Sequence, residues 1–299
     1  MDNMDTNDLL LQSSDEEKGK KDVDNVKTKV SLQDTLFYTD ALSENNINDI
    51  ITTQRPELFV LFGLNDVGKT TFVGSLYHQL RIKGNMAEFE FVDSDTFAGL
   101  ERRVFLRKCS KDGRSDTNRT TRSENPFLTL HMEHKITGRR LIVLSDRAGE
   151  RYRDYISKNE ELVKDKTIKY ANRLLLFINA EELSGRPYSN MKDEFKMLLH
   201  RLKEKDMLPF NATKYIIFNK YDKVGDPENH ILKDHEQEII NIIDEIFENE
   251  GIPQYRINSK DLDQNKELEE LFSIIIKPLK TRDTDLALDW VNASIKNNK

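Results

Sequence analysis

From Glu57 onward, short apolar runs alternate with longer stretches in which apolar residues recur every three or four positions. ELFVLFG (57–63) is almost wholly apolar and ends at a glycine, the pattern of a buried strand entering a turn. KTTFVGSLYHQLRIKG (69–84) sets Phe72, Val73, Leu76 and Leu80 at helical spacing and closes on Gly84. EFEFVD reads as a short strand and TFAGLERRVFLRKC (96–109) as a helix. FLTLHMEH and RRLIVLSD flank a Lys-Ile-Thr-Gly connection, which predicts a β-hairpin. RLLLFINA, KYIIFNK and QYRIN predict three later strands, followed by helical patterns over 190–206, 230–249 and 261–277. In 230–249, Ile231, Ile239, Ile242, Ile243, Ile246 and Phe247 supply an apolar stripe, expected to pack on a sheet. Residues 110–126 are polar and turn-rich, an exposed loop. Strands alternating with helices imply an α/β fold: an open, mostly parallel central sheet with helices on both faces. Ligands of such sheets bind beyond the carboxyl ends of the strands.

Composition narrows the class. The chain has 299 residues, 37% hydrophobic and 33% charged, enough for a core of ordinary size beneath a well-solvated surface. Its single cysteine, Cys109, excludes an internal disulfide framework or a cysteine-based metal site. The acidic start, MDNMDTND, lacks the layout of a secretory signal, and no apolar run approaches a membrane span. A cytoplasmic protein is expected. The net charge of −7 resides in residues 1–50, with 12 acidic residues against 5 lysines, and the remainder is neutral. That neutral body gives no reason to expect nucleic-acid binding. Residues 1–50 are expected to form an acidic, disordered tail. A folded domain is then expected over 55–280, with a C-terminal tail at 281–299.

Four short motifs carry chemistry, and all fall at predicted strand ends. GLNDVGKT, Gly63 to Thr70, matches G-x-x-x-x-G-K-[ST] between a predicted strand and a predicted helix, the context the motif requires. The backbone N–H groups of Asn65, Asp66, Val67, Gly68, Lys69, Thr70 and Thr71 are expected to wrap phosphates at the helix N-terminus. Lys69 is expected to reach the β and γ phosphates, and Thr70 to place its hydroxyl on Mg²⁺. FNKYD (218–222) follows at a later strand end. There Asp222 can accept two hydrogen bonds from guanine N1–H and the 2-amino group, donors that adenine lacks. A site built on such bonds discriminates by about 10⁴ or more. The Lys220 stem would lie along the base plane, and Asn219 would brace this loop to the phosphate loop. In INSK (257–260), the Ser259 N–H can bind guanine O6 and Lys260 can cover the base. In SDRAGERY, Asp146 ends a strand and would hold a water on Mg²⁺, while the Gly149 N–H would touch the γ-phosphate.

Together these motifs, in this order over about 63–280, resemble the Ras-like branch of P-loop GTPases, a P-loop NTPase G domain. GLNDVGKTT looks especially like the Arf-type phosphate loop. GKTTFVGSLYHQL, a long insert and then SDRAGERY also resemble the bacterial double-GTPase proteins of predicted conflict (anti-phage) systems. The resemblance implies GTP and GDP as ligands, Mg²⁺ as the metal, slow hydrolysis, and a switch read by a protein effector or companion GTPase.

The chain departs from the family pattern in three places. The switch threonine that caps Mg²⁺ is either Thr120 or Thr121, with Thr121 preferred. About 50 residues separate Lys69 from this pair. An insert is therefore expected over about 85–125, between the phosphate-loop helix and the switch, with a helical element next to the nucleotide. Arg119 and Arg122 flank the two threonines and could act as an arginine supplied in cis. Glu150 stands where most relatives place the water-orienting Gln. It can hydrogen-bond the attacking water, or Arg147 and Arg151 can draw it into an ion pair. Three readings follow: a GTPase switch; a module that holds GTP or GDP with little turnover; and an ATP-dependent protein, which requires Asp222 to lie away from the base.

Overall fold

The computed structural model describes residues 40–43, 46, 47, 50, 56–108, 126–209, 211–248, 251–260 and 266–278. Thr120, Thr121, Arg119, Arg122 and Cys109 lie outside them, as do residues 1–39 of the expected N-terminal tail and the expected tail at 281–299.

Eight strands form one sheet: β1 (Pro56–Phe62), β2 (Asn85–Met86), β3 (Phe89–Asp93), β4 (Phe127–His134), β5 (Gly138–Ser145), β6 (Arg173–Asn179), β7 (Thr213–Asn219) and β8 (Gln254–Ile257). Their order is β2-β3-β4-β5-β1-β6-β7-β8. The run β5-β1-β6-β7-β8 is parallel, whereas β2 to β5 pair antiparallel, so the expected mostly parallel sheet forms. The β4–β5 hairpin forms as the sequence predicts, with Phe127 opposite Ser145 and His134 opposite Gly138.

The helices are α1 (Lys69–Lys83), α2 (Phe97–Lys108), α3 (Gly149–Ser157), α4 (Asn159–Lys164), α5 (Ala180–Leu183), α6 (Tyr188–Glu204), α7 (His230–Ile246) and α8 (Lys266–Ile276). Alternation along β1 divides the core. Leu58, Val60 and Phe62 face α3, α6 and α7, while Phe59 and Leu61 face α1, α2 and α8. Aromatic pairs key both layers. The Phe62 ring meets Tyr152 of α3 edge-on with centroids 4.8 Å apart, and Phe72 of α1 meets Phe272 of α8 at 5.0 Å. Each such contact adds about 0.5–1.5 kcal/mol to the area it buries.

The expected insert carries the strand and the helix read in it and is packed into the domain: β3 pairs with β4, and α2 lies on α1. Two expectations change. The expected tail at 1–50 includes residues that belong to the core. Leu42 exchanges both backbone hydrogen bonds with Phe127, at 2.9 and 3.0 Å, and Leu42, Ile47 and Ile50 are buried. Apolar side chains within an acidic stretch still gain by leaving water when a sheet edge accepts them. In α7, Leu232, Ile239, Ile243 and Ile246 are buried, but Ile231 is 59% exposed, so the buried face begins at Leu232, one position after Ile231.

Candidate functional site

Four parallel strands deliver the motifs to one side of the sheet. β1 runs into the phosphate loop, β5 into Asp146, β7 into Asn219, and β8 into the Ser259 turn. The loop from Gly63 to Thr70 turns at Asp66, whose φ of 56° lies in the left-handed region that Asp tolerates better than most residues. It turns again at Gly68, with φ of 87°. A Cβ at Gly68 would lie 2.2 Å from Asn219 Nδ2, so a glycine is required there on two counts.

Asn219 performs the bracing role expected of it. Its Nδ2 donates to Val67 O at 2.8 Å, and its Oδ1 accepts from both Ser259 N (3.0 Å) and Ser259 Oγ (2.8 Å). Ser75 Oγ of α1 donates to Ser259 O, closing the ring. The Ser259 assignment needs correction. Its N–H is already given to Asn219, so it is not the donor for guanine O6, and the buried Ser259 fixes the loop instead. The Lys260 N–H donates to the Asn258 side chain at 2.9 Å. Lys220 caps the 3₁₀ turn Tyr221–Lys223 in a left-handed conformation, with φ of 63°. Burial, with Lys223 nearby, lowers its ammonium below the ordinary lysine value. Asp222 is exposed in that turn.

At the phosphate end, Lys69 is buried and donates to Gly63 O at 2.7 Å and Leu64 O at 2.9 Å. Burial pulls it down to about 8, while Asp146, Glu150 and Asp66 oppose that fall. Its ammonium also lies 5.5 Å from the Tyr152 ring centroid. Thr70 Oγ1 donates to Asp146 Oδ1 at 3.1 Å. The fully buried Asp146 carboxylate accepts through Oδ2 from Arg103 Nε of α2 at 3.0 Å. A Cβ at Gly149 would fall 2.3 Å from Asn65 Oδ1 and 2.4 Å from Asn65 N, so the corner closes directly on the phosphate loop. Asn65 Oδ1 itself is buried without a partner. A lysine, a hydroxyl–carboxylate pair, an orphaned amide oxygen and the N-terminus of α3 thus converge. This donor set fits a nucleotide phosphate with an oxygen-liganded divalent cation, held by Thr70 and Asp146.

Glu150 is half-buried in the first turn of α3. The ion pairs offered to it by sequence do not form. Arg147 is buried against Asp165, Tyr155 and Thr167, and Arg151 pairs with Glu161 at 3.0 Å. Both arginines face α4 and the segment after it, because Asp165 and Glu161 offer carboxylates there.

Sequence reasoning missed Arg103. A signal existed: Leu100 and Val104 of α2 are both buried, and Arg103 lies on their face of the helix. A charged residue on the packed face of a helix needs a partner, and Asp146 is that partner.

A family model described as Double-GTPase 2 matches residues 58–275. No curated protein matches the chain. Among solved structures, that of Methanosarcina barkeri Roco2 RocCORdC bound to GDP is similar at 12% identity and a TM-score of 0.40. The similarity covers 74% of this chain and 48% of that one, so the chain spans about half of its length.

Proposed function

The chain belongs to the Double-GTPase 2 family, as a P-loop GTPase of the double-GTPase type, and from that premise we propose that it hydrolyses Mg²⁺–GTP to GDP and phosphate and signals the difference to a protein partner. The observation that carries this reading is the Thr70–Asp146 hydroxyl–carboxylate pair, at 3.1 Å, beside the buried Lys69. Mg²⁺, when bound, offsets the negative charge on the β- and γ-phosphate oxygens.

The remaining work falls to this chain. An ammonium has three donors, and Lys69 gives two to Gly63 O and Leu64 O. Its third is left for a phosphate oxygen. The N–H groups of the loop and of the α3 N-terminus supply further donors. Glu150, free of the neighbouring arginines, has a carboxylate to accept a proton from a water and hold it for attack. Asp222 accepts from the guanine edge, while the Asn219 brace keeps base end and phosphate end at a fixed separation. Because α3 begins at Gly149, any movement of that glycine on loss of the γ-phosphate moves the helix a partner would read. The partner expected is an effector or a companion GTPase.

Single-turnover phosphate release from Mg²⁺–GTP, with Mg²⁺–ATP as control, tests the reading. Release from GTP alone is expected. Tight GTP binding without release would instead identify a nucleotide-holding module, the reading favoured by the negative charge of Glu150 near the γ-phosphate. Equal release from ATP would remove Asp222 from base selection.

A further inference from the structure

Asp146 has no exposure, and its two oxygens are divided between Thr70 and Arg103. A buried carboxylate is strongly disfavoured unless a cation compensates it. Lys69 contributes charge nearby, but its ammonium donates to the loop carbonyls, so among the described residues the cation paired directly with Asp146 is Arg103. The Arg103 side chain is itself only 11% exposed, and its Nη1 donates to Gly99 O, one turn back in α2, at 3.0 Å. The helix is seated closely on α1: a Cβ at Gly74 would come within 3.2 Å of Arg103 O. So α2 touches both the helix that carries Thr70 and the carboxylate that Thr70 meets. A dication arriving at Thr70 and Asp146 would find a guanidinium on the same carboxylate. Two cations that close repel strongly in a site shielded from water.

Resting on the GTPase reading above, we propose that Arg103 is a built-in counter-ion at the metal position. It neutralises Asp146 while no dication is present, and Mg²⁺ entering with the nucleotide takes its place. The exchange makes α2 a loading sensor alongside the corner at Gly149.

The test uses the full chain loaded with a fluorescent GDP, following its release as free Mg²⁺ is varied, for wild type, Arg103→Gln and Arg103→Lys. Removing the competing charge is expected to lower the Mg²⁺ concentration for half-maximal retention by about tenfold in Arg103→Gln. Arg103→Lys, which keeps the charge on a different head, is expected to fall between. Thermal melting gives the second readout. Arg103→Gln is expected to lose more stability in EDTA without nucleotide than in Mg²⁺–GDP, because only the metal-free protein needs the arginine. An unchanged or raised Mg²⁺ midpoint overturns the proposal, and so does an equal loss of melting temperature in both states, which marks a packing role. Failure of wild type to retain GDP at any Mg²⁺ concentration overturns the GTPase reading itself, before any variant is compared.

Discussion

At the scale of single residues, the question is what Glu150 does where an amide is usual. It sits in the first turn of α3, where the helix N-terminus favours a negative charge, and its arginine neighbours are engaged elsewhere. If it holds the attacking water, Glu150→Ala should slow single-turnover hydrolysis by roughly tenfold or more while GTP still binds. An unaltered rate would exclude Glu150 from the mechanism. Asp222 makes a separate prediction. Asp222→Asn exchanges a double acceptor for a group that is half donor, so GTP affinity should fall and xanthosine triphosphate should become the better ligand. Competition between the two nucleotides measures this, and unchanged preference for GTP would place base selection elsewhere. Lys69 adds a pH dependence. Its value is lowered to about 8, so its charge is present below that pH and lost above it. A bound triphosphate favours the charged form and raises the value again. Binding must then take up a proton above about pH 8, and GTP affinity must fall as pH rises through that range. Calorimetry at about pH 8.5 in buffers of different ionisation enthalpy should show that uptake. Identical apparent enthalpies would show that Lys69 does not change protonation on binding.

At the scale of elements, function depends on how loops from distant strands are tied together. β7 ends at Asn219, and that one amide joins the phosphate loop at Val67 to the turn after β8 at Ser259. Asn219→Ala leaves the Val67 carbonyl and two Ser259 groups without their partner inside the protein. Buried groups orphaned in this way cost about 1–3 kcal/mol each when water does not reach them. The variant should melt at a lower temperature and release GDP faster, because base end and phosphate end are no longer held together. Lower stability with an unchanged GDP release rate would confine Asn219 to a folding role. The motif residues were legible in the sequence because their chemistry is local: a glycine-rich turn between a strand and a helix, an Asn-Lys-x-Asp at a strand end. Their partners were less legible. Arg147 and Arg151 adjoin Glu150 in sequence, yet they turn to Asp165 and Glu161, which only the packing of α3 and α4 brings near. Arg103 meets Asp146 across 43 residues, a contact that helical periodicity could suggest but not assign.

At the scale of the whole molecule, the parallel run of the sheet could be read from alternating strand and helix patterns, but its borders could not. Composition placed the first 50 residues outside the domain, since their charge balance is that of a disordered chain. Burial depends on particular side chains, and a sheet edge decides which ones. β3 pairs with β4 only from His131 onward, which leaves the start of β4 uncovered by that strand. Leu42 fills the gap: it pairs with Phe127 through two backbone hydrogen bonds, and its side chain is 1% exposed among the residues that also pack Val60 and Tyr152. Asp40 meanwhile pairs with Arg102 of α2, so the segment touches the helix that carries Arg103. Truncating a buried leucine costs about 2–5 kcal/mol. Leu42→Ala should therefore lower the unfolding free energy by that amount, although it lies in the acidic segment, and chemical denaturation would measure it. If residues 40–50 were a solvated tail, the same substitution would change nothing. A loss in that range sets the start of the folded domain at or before Leu42, about fourteen residues ahead of the first strand.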